Sequence, residues 1–270
     1  MKRAERTAII SQMLSNSPNQ IFTLASICDQ FNISKTTASE DIAIIKEAFS
    51  SAGIGTIDTK KGPGGGFYFT PNIHEETALD TLEDICKILR EPTRILGGGF
   101  MFTSDLMFDP SSVQKLAKIF ISQFKDMTPD YIVTVETKGI PLAQMTAQLL
   151  NIPAVVVRRE HKISEGPTIS INYFSSAAGK MKKMSISKYS IKPGSKAIII
   201  DDFMRAGGSI KGIYELLREL DVTILTVGVA IASKTPQEKK ISHYIPLILL
   251  DEIDEKTSEI KIHPNYDIFK

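Results

Sequence analysis

The sequence predicts a two-part α/β protein, with a small helical unit ending in a β-hairpin and then a larger domain built on a mainly parallel sheet flanked by helices. Three observations carry this. The first 70 residues hold three helical apolar patterns, then two short strand patterns around a glycine-rich tip. From Tyr131 onward, short apolar runs alternate with helical patterns, and such alternation builds a parallel sheet with helices on both faces. Within it, Lys196–Ile200 is an unbroken apolar run, the signature of a strand buried on both sides, followed by two acids, two glycines and a helix.

Taken in order, a first helix is expected over about Arg3–Ser15, burying Ile9, Ile10, Met13 and Leu14, with Pro18 closing it. Leu24, Ile27, Cys28 and Phe31 recur at i, i+3, i+4 and i+7, a second helix with Thr23 as its N-cap. After the turn Asn32-Ile33-Ser34, the apolar positions Ala38, Ile42, Ile45 and Phe49 mark a third. Its polar start is Lys35, Thr36, Thr37, Ser39 and Glu40. A short turn between two helices, the second opening on hydroxyls, fits a helix-turn-helix, whose recognition helix meets base edges with its first residues.

Gly53–Asp58 and Phe67–Thr70 then read as two strands joined by Thr59–Gly66, a long, basic, glycine-rich tip like the wing of a winged helix. The DNA-facing candidates are Lys2, Arg3 and Arg6 at the start of the chain, Ser34, Lys35, Thr36, Thr37 and Ser39 on the third helix, and Lys60 and Lys61 on the wing. Lysines at a wing tip suit phosphates, which set affinity without reading sequence. A helical dimerisation module with a loop is the competing reading, since residues 1–70 carry seven basic and six acidic side chains, a nearly neutral balance. Pro71–His74 is the expected linker, dividing the chain into domains 1–72 and 73–270.

In the larger part, Leu79, Leu82, Ile85, Cys86 and Leu89 mark one helix and Val113, Leu116, Ala117, Phe120 and Phe124 another, with the Gly97–Gly99 turn between them. Expected strands are Tyr131–Val135, Ala154–Val157, Lys196–Ile200 and Thr223–Ala230, with helices from about Ile140 to Leu150 and over 209–220. A strand at Ile245–Leu250 with a short tail is expected to edge the sheet. Residues 158–192 are basic, and alternation at Ile169, Ile171 and Tyr173, then Met184 and Ile186, predicts a hairpin with 175–179 at its tip. That hairpin is either a solvated charged surface or a second face toward DNA or a nucleotide.

Ligands of such sheets bind beyond the strand C-termini, so two loops are candidates. One is Thr137-Lys138-Gly139, after the Tyr131–Val135 strand; taken alone it is also an ordinary strand–helix turn with a surface lysine. The other runs from Asp201 to Ser209, through Asp202, Phe203, Met204, Arg205, Ala206, Gly207 and Gly208. Ser209 is the expected N-cap there. Backbone amides and the helix dipole favour a phosphate at such a turn, while adjacent carboxylates accept hydrogen bonds from a pair of ribose hydroxyls. An apolar strand with an Asp and a Gly occurs at many plain turns; the second acid calls for a further reason.

Composition bounds the rest. The chain has 270 residues, 42% apolar and 23% charged, with net charge +1, ordinary for a globular protein and neutral on nucleic-acid binding, because a local basic surface can exist on a neutral chain. Cys28 and Cys86 sit on apolar helical stripes and are expected as buried thiols. No run is long enough to span a bilayer, and Met1-Lys2-Arg3 leads into mixed polar sequence without a signal peptide, so the expected location is cytoplasmic with no membrane partner.

The Asp201–Ser209 stretch resembles the phosphoribosyl pyrophosphate (PRPP) loop of the type I phosphoribosyltransferases. The match lies at Asp201, Asp202, Gly207 and Gly208, with departures at Ala206, where those enzymes usually carry Thr, and at the bulky cation Arg205. The resemblance implies that the acids bind the ribose 2′ and 3′ hydroxyls, that the loop holds the 5′-phosphate, and that Thr137, Lys138 and Gly139 take the pyrophosphate. Across nearly the whole chain, Ser34–Asp41, Glu136–Ala143, Ser170–Tyr173 and Ile200–Ser209 resemble the purine operon repressors of Gram-positive-type bacteria. That implies a homodimer binding double-stranded DNA at purine gene control regions. PRPP is then the inducer, with Mg²⁺ carried by PRPP, no required cofactor and no catalytic residue retained. Purine nucleotide alarmones are possible further ligands. An active purine phosphoribosyltransferase with an accessory domain, and a nucleotide-binding interaction protein without DNA contact, are the competing readings.

Overall fold

The computed structural model describes residues 1–159, 166–175 and 180–270. The chain divides into two compact units, one of Met1–His74 with Gln148–Asn151, the other of Glu75–Ala147 with Ile152–Lys270. The division falls after His74, the last residue of the expected linker and two residues beyond the expected boundary at 72/73.

The first unit contains α1 (Arg3–Asn16), α2 (Leu24–Phe31), α3 (Lys35–Ser51) and the antiparallel strands β1 (Gly55–Lys60) and β2 (Gly66–Pro71). Thr23 caps α2 as expected, its hydroxyl accepting from Ser26 N–H at 3.0 Å. Asn32, left-handed at φ 50°, ends α2, and Ser34 opens α3 by accepting from Thr37 N–H at 3.1 Å. These two stops make the tight turn that orients α3. Ile10, Leu14, Ile27, Ala38, Ile45, Phe49, Ile57, Phe67 and Phe69 form the core. Ile9 departs from expectation and is 38% exposed, because the inward stripe of α1 is Arg6, Ile10 and Leu14 and Ile9 lies off it. A single bridge between Phe22 and Phe67 adds a minimal third strand to the hairpin.

The second unit opens with α4 (Glu75–Leu89), the small hairpin β3 (Ile95–Gly97) and β4 (Phe100–Met101), then α5 (Ser104–Phe108) and α6 (Pro110–Gln123). Its centre is a six-stranded sheet in the order β12-β11-β10-β9-β5-β6. These strands are β5 (Tyr131–Val135), β6 (Ala154–Val157), β9 (Lys196–Met204), β10 (Thr223–Ser233), β11 (Ile245–Asp254) and β12 (Glu259–Pro264). All neighbours run parallel except β12, which is antiparallel to β11. Helix α7 (Gly139–Leu150) follows β5, and α8 (Gly208–Arg218) follows β9.

The hairpin β7 (Thr168–Ser175) and β8 (Lys180–Ser187) forms as the alternation implied. Tyr173, Met184 and Ile186 join α8 and the sheet in one apolar core. Of its expected tip, 176–179 lie outside the described residues, as do Lys162, Glu160 and Glu165 of the basic segment. Two expectations are corrected. Strand β9 does not stop at Ile200 but continues to Met204, so both acids stand on the strand itself. Strand β11 does not edge the sheet, because the supposed tail forms β12, with Ile260 and Ile262 buried between charged outward residues. Cys28 is half-buried and Cys86 buried, both free thiols, and burial pushes the Cys86 thiol up to about 12. Among the described residues no helix is long and apolar enough to cross a membrane.

Candidate functional site

Parallel strands deliver their C-termini to one side of a sheet, and here those of β5 and β9 open into a cavity of about 560 Å³. Its lining includes every residue expected at the ligand site except Gly139, together with Phe100, Glu136 and Arg159. Gly139 lies beneath it. A Cβ added there would sit 2.6 Å from Thr134 Oγ1 and 3.3 Å from Asp201 Oδ1, so only glycine lets the start of α7 approach the acids this closely. The Glu136–Thr137 peptide in the same loop is cis.

Ser209 is not the N-cap. That position is Gly207, left-handed at φ 77°, and α8 begins at Gly208. Glycine takes this conformation without a steric penalty, which puts the cap two residues before the expected one. The amides of the first turn, with no side-chain cap, are thereby presented at the cavity wall. Met204 and Ala206 are buried, so toward a ligand they offer main chain rather than side chain.

Three anchors were not singled out from the sequence. Glu136 accepts hydrogen bonds from the Arg159 N–H and from Arg158 Nη1, tying the loop after β5 to the end of β6. Lys239 Nζ donates to the carbonyls of Arg205 and Ser233, both at 2.6 Å. Phe100 carries the Arg205 guanidinium over its ring, 5.6 Å from the centroid. Apart from Lys239 and Ser233, each anchor meets its partner from a distant part of the sequence, so no local spacing signals them. Lys138 reaches Thr103 Oγ1 at 3.5 Å.

The acid pair is electrostatically loaded. Burial pushes the Asp201 carboxyl well above the usual carboxylate range, and the Asp202 charge beside it adds to the effect. Burial raises Asp202 as well, with Asp201's hydrogen bonding and the Lys138 charge pulling it back. An acid raised on folding loses stability as the pH climbs from the ordinary carboxylate range through the raised value. Asp201→Asn is therefore expected to raise the unfolding temperature of the second unit at about pH 8, with the difference shrinking as the pH falls below about 4, where the acid becomes protonated both folded and unfolded. Thermal unfolding of both proteins across that range checks it. A pocket that holds two costly negative groups is built for something that compensates them, such as polarised hydroxyl donors or a cation.

In the first unit, Ser34, Lys35, Thr36 and Ser39 are exposed at the start of α3, and Thr37 is half-buried. The Ser34 and Thr37 hydroxyls lie 2.9 Å apart, so part of their capacity serves the cap. Lys60 and Lys61 are exposed at the hairpin tip. Arg3 is exposed and pairs with Glu40 of α3, which sets the chain's start, with Lys2, beside that helix. Arg6 is removed from the DNA-facing set. It is 5% exposed, and its Nε donates to Asp41, a residue of α3 with no exposed surface. A guanidinium so enclosed ties α1 to α3 and cannot reach a phosphate.

Residues 2–71 match the family model described as bacterial purine repressor, N-terminal, a DNA-binding domain, and residues 108–264 match the phosphoribosyl transferase domain. A probable purine biosynthesis transcriptional regulator of Streptococcus pneumoniae is 39% identical, covering 97% of this chain and 96% of that protein. The purine biosynthesis transcriptional activator of Lactococcus lactis is 36% identical, covering 97% of both chains. The purine biosynthesis transcriptional repressor of Bacillus subtilis is also 36% identical, over 97% of this chain and 92% of its own. In fold, the chain is similar to adenine phosphoribosyltransferase from Saccharomyces cerevisiae, with TM-score 0.53 and 22% identity over 62% of this chain and 97% of that one. With a winged-helix unit ahead of a sheet whose strand ends carry the acid pair, the chain belongs to the family of bacterial purine biosynthesis transcriptional regulators that join a DNA-binding domain to a phosphoribosyltransferase domain.

Proposed function

We propose that this chain represses purine biosynthesis genes, binding double-stranded DNA through its winged helix and releasing it when PRPP fills the second unit's pocket. The observation that carries the reading is the pairing of buried Asp201 and half-buried Asp202 with two anion-suited loops around one cavity. The acids accept from the ribose 2′ and 3′ hydroxyls. The uncapped start of α8 at Gly207–Ser209 takes the 5′-phosphate, and Thr137, Lys138 and Gly139 take the pyrophosphate. Mg²⁺ enters with PRPP on its own oxygens, as this hard cation does with phosphate ligands. The transferase fold serves as a receptor without turnover, in a homodimer, and purine alarmone nucleotides compete for the same pocket. On DNA, Ser34, Lys35, Thr36, Thr37 and Ser39 face the major groove, while Lys2, Arg3, Lys60 and Lys61 meet phosphates.

The logic of the response supports this direction. PRPP is consumed by purine synthesis, so its abundance is a reason to free the genes, and a ligand releases DNA only by favouring the DNA-free conformation. A gel shift on the control region of a purine synthesis gene, with and without Mg²⁺ and PRPP, is the test. DNA binding unaffected by PRPP sinks the sensor, and no DNA binding sinks the regulator. Nucleotide formation from PRPP and any purine base would restore the enzyme reading. The activator name of the Lactococcus relative favours a second reading of the sign, which transcription in vitro from the same control region decides. Arg205→Ala is expected to leave DNA affinity without PRPP unchanged and to raise the PRPP concentration for half-release by about tenfold or more, the value of one charge-assisted phosphate contact. Unchanged PRPP sensitivity would remove Arg205 from the site.

A further inference from the structure

A second cavity, about 530 Å³ in volume, lies along the outward face of α8. Lys211, Tyr214 and Arg218 recur there at i, i+3 and i+7, one stripe of the helix, with a single acid, Glu215, among them. The opposite wall is the segment Lys240–His243, and Val222 and Ile224 make an apolar floor. Tyr214 is half-buried and packs against the main core; burial pushes its phenol up, so the ring stays neutral. The cleft thus combines an aromatic wall, an apolar floor and a cationic rim of Lys211, Arg218 and Lys240.

We infer that this cleft is a second ligand site, taking a small organic phosphate that carries a planar aromatic ring, such as a purine mononucleotide. The ring lies on Tyr214 and the apolar floor, and the phosphate meets Lys211 and Arg218. The volume falls in the range of small-molecule sites, roughly 300–1,000 Å³. The chemistry differs from that of the first pocket, since no buried acid pair waits here for a sugar diol.

The cleft also shares a wall with the first pocket's phosphate loop. Lys239 holds the Arg205 carbonyl, Lys240 N–H donates to the Ala206 carbonyl at 2.9 Å, and a Cβ at Gly207 would sit 3.3 Å from Ile241 Cγ1. Residues 239–241 therefore support Arg205–Gly207, and Lys240 and Ile241 of that stretch also line the cleft. Occupancy of either site biases the other through this segment, and such coupling is reciprocal.

The chain has no tryptophan, so Tyr214→Trp places a single reporter in the cleft of the full-length protein. Titration of Y214W with AMP and with GMP is expected to change its emission saturably. Adding K211E and R218E should weaken the response tenfold or more, whereas adding D201N and D202N should leave it in place. Circular dichroism confirms that each variant is folded. The inference is overturned by no saturable change at millimolar nucleotide, by a change indifferent to K211E/R218E, or by one lost only in D201N/D202N. Inorganic phosphate binding as tightly as the nucleotides would overturn the aromatic part.

Discussion

The double variant Asp201→Asn/Asp202→Asn is expected to keep its DNA and to ignore PRPP. Asparagine preserves size and much of the packing but gives up the charge that a ribose diol binds. Hydrogen bonds to charged groups are worth about 1.5–3 kcal/mol each, so losing two weakens PRPP by about 100-fold or more. Because burial opposes the charge on both acids, the variant also folds at least as stably as the natural chain, and loss of response cannot be assigned to unfolding. Isothermal titration with Mg²⁺ and PRPP, beside a gel shift, measures both halves. PRPP affinity within a few-fold of the natural protein's would show that the acids do not hold the ribose.

The second large effect is expected in the first unit. Asp41→Ala leaves the Arg6 guanidinium enclosed between α1 and α3 without its carboxylate, and a buried charge stripped of its partner is strongly destabilising. The first unit's thermal transition should fall by many degrees, and DNA binding should be lost near physiological temperature whether or not PRPP is present. Glu40→Ala, which removes only the exposed Arg3 pair, should move the transition little. Replacing the buried pair together, as Arg6→Met/Asp41→Leu, should recover most of the loss, since well-packed apolar residues often substitute for a buried ion pair. Thermal unfolding followed by circular dichroism, with DNA affinity measured at two temperatures, separates these outcomes. An Asp41→Ala transition equal to that of Glu40→Ala would show the pair to be dispensable.

What was legible in the sequence follows the range of the interactions involved. The cap at Thr23, the turn at Asn32–Ser34 and the stripe Ala38–Ile45–Phe49 are local, and each stands where its spacing implies. So do the parallel strands, whose apolar runs record burial on both faces. Misjudged features depend on partners distant in the chain. Arg6 reads as a surface cation until Asp41, 35 residues on, is found beside it. Strand β12 looks like a charged tail because only its alternate residues meet the core. Ser209 yields the cap to Gly207 because the turn before α8 passes through a left-handed position that glycine takes without strain. In the pocket, the acids and glycines announce themselves by adjacency, whereas Phe100, Arg159 and Lys239 arrive from other elements and become visible only in three dimensions.

The placement of the acids on β9 separates what is recognised from what is reported. This strand is hydrogen-bonded to β5 on one side and to β10 on the other, with the β10 pairing running through Asp201 to Met204. The β5 pairing ends at Ile199, so it is β10 that holds the main chain of the two acids in the sheet's register. The loops around them, Glu136–Lys138 and Arg205–Gly207, are held instead by contacts from Arg158, Arg159, Lys239 and Lys240. The acids' position is thus set by a sheet ladder, and that of the two loops by a few separate contacts from other elements. Under the proposed function, a substitution among those loop contacts would alter the response while leaving the acid pair in place.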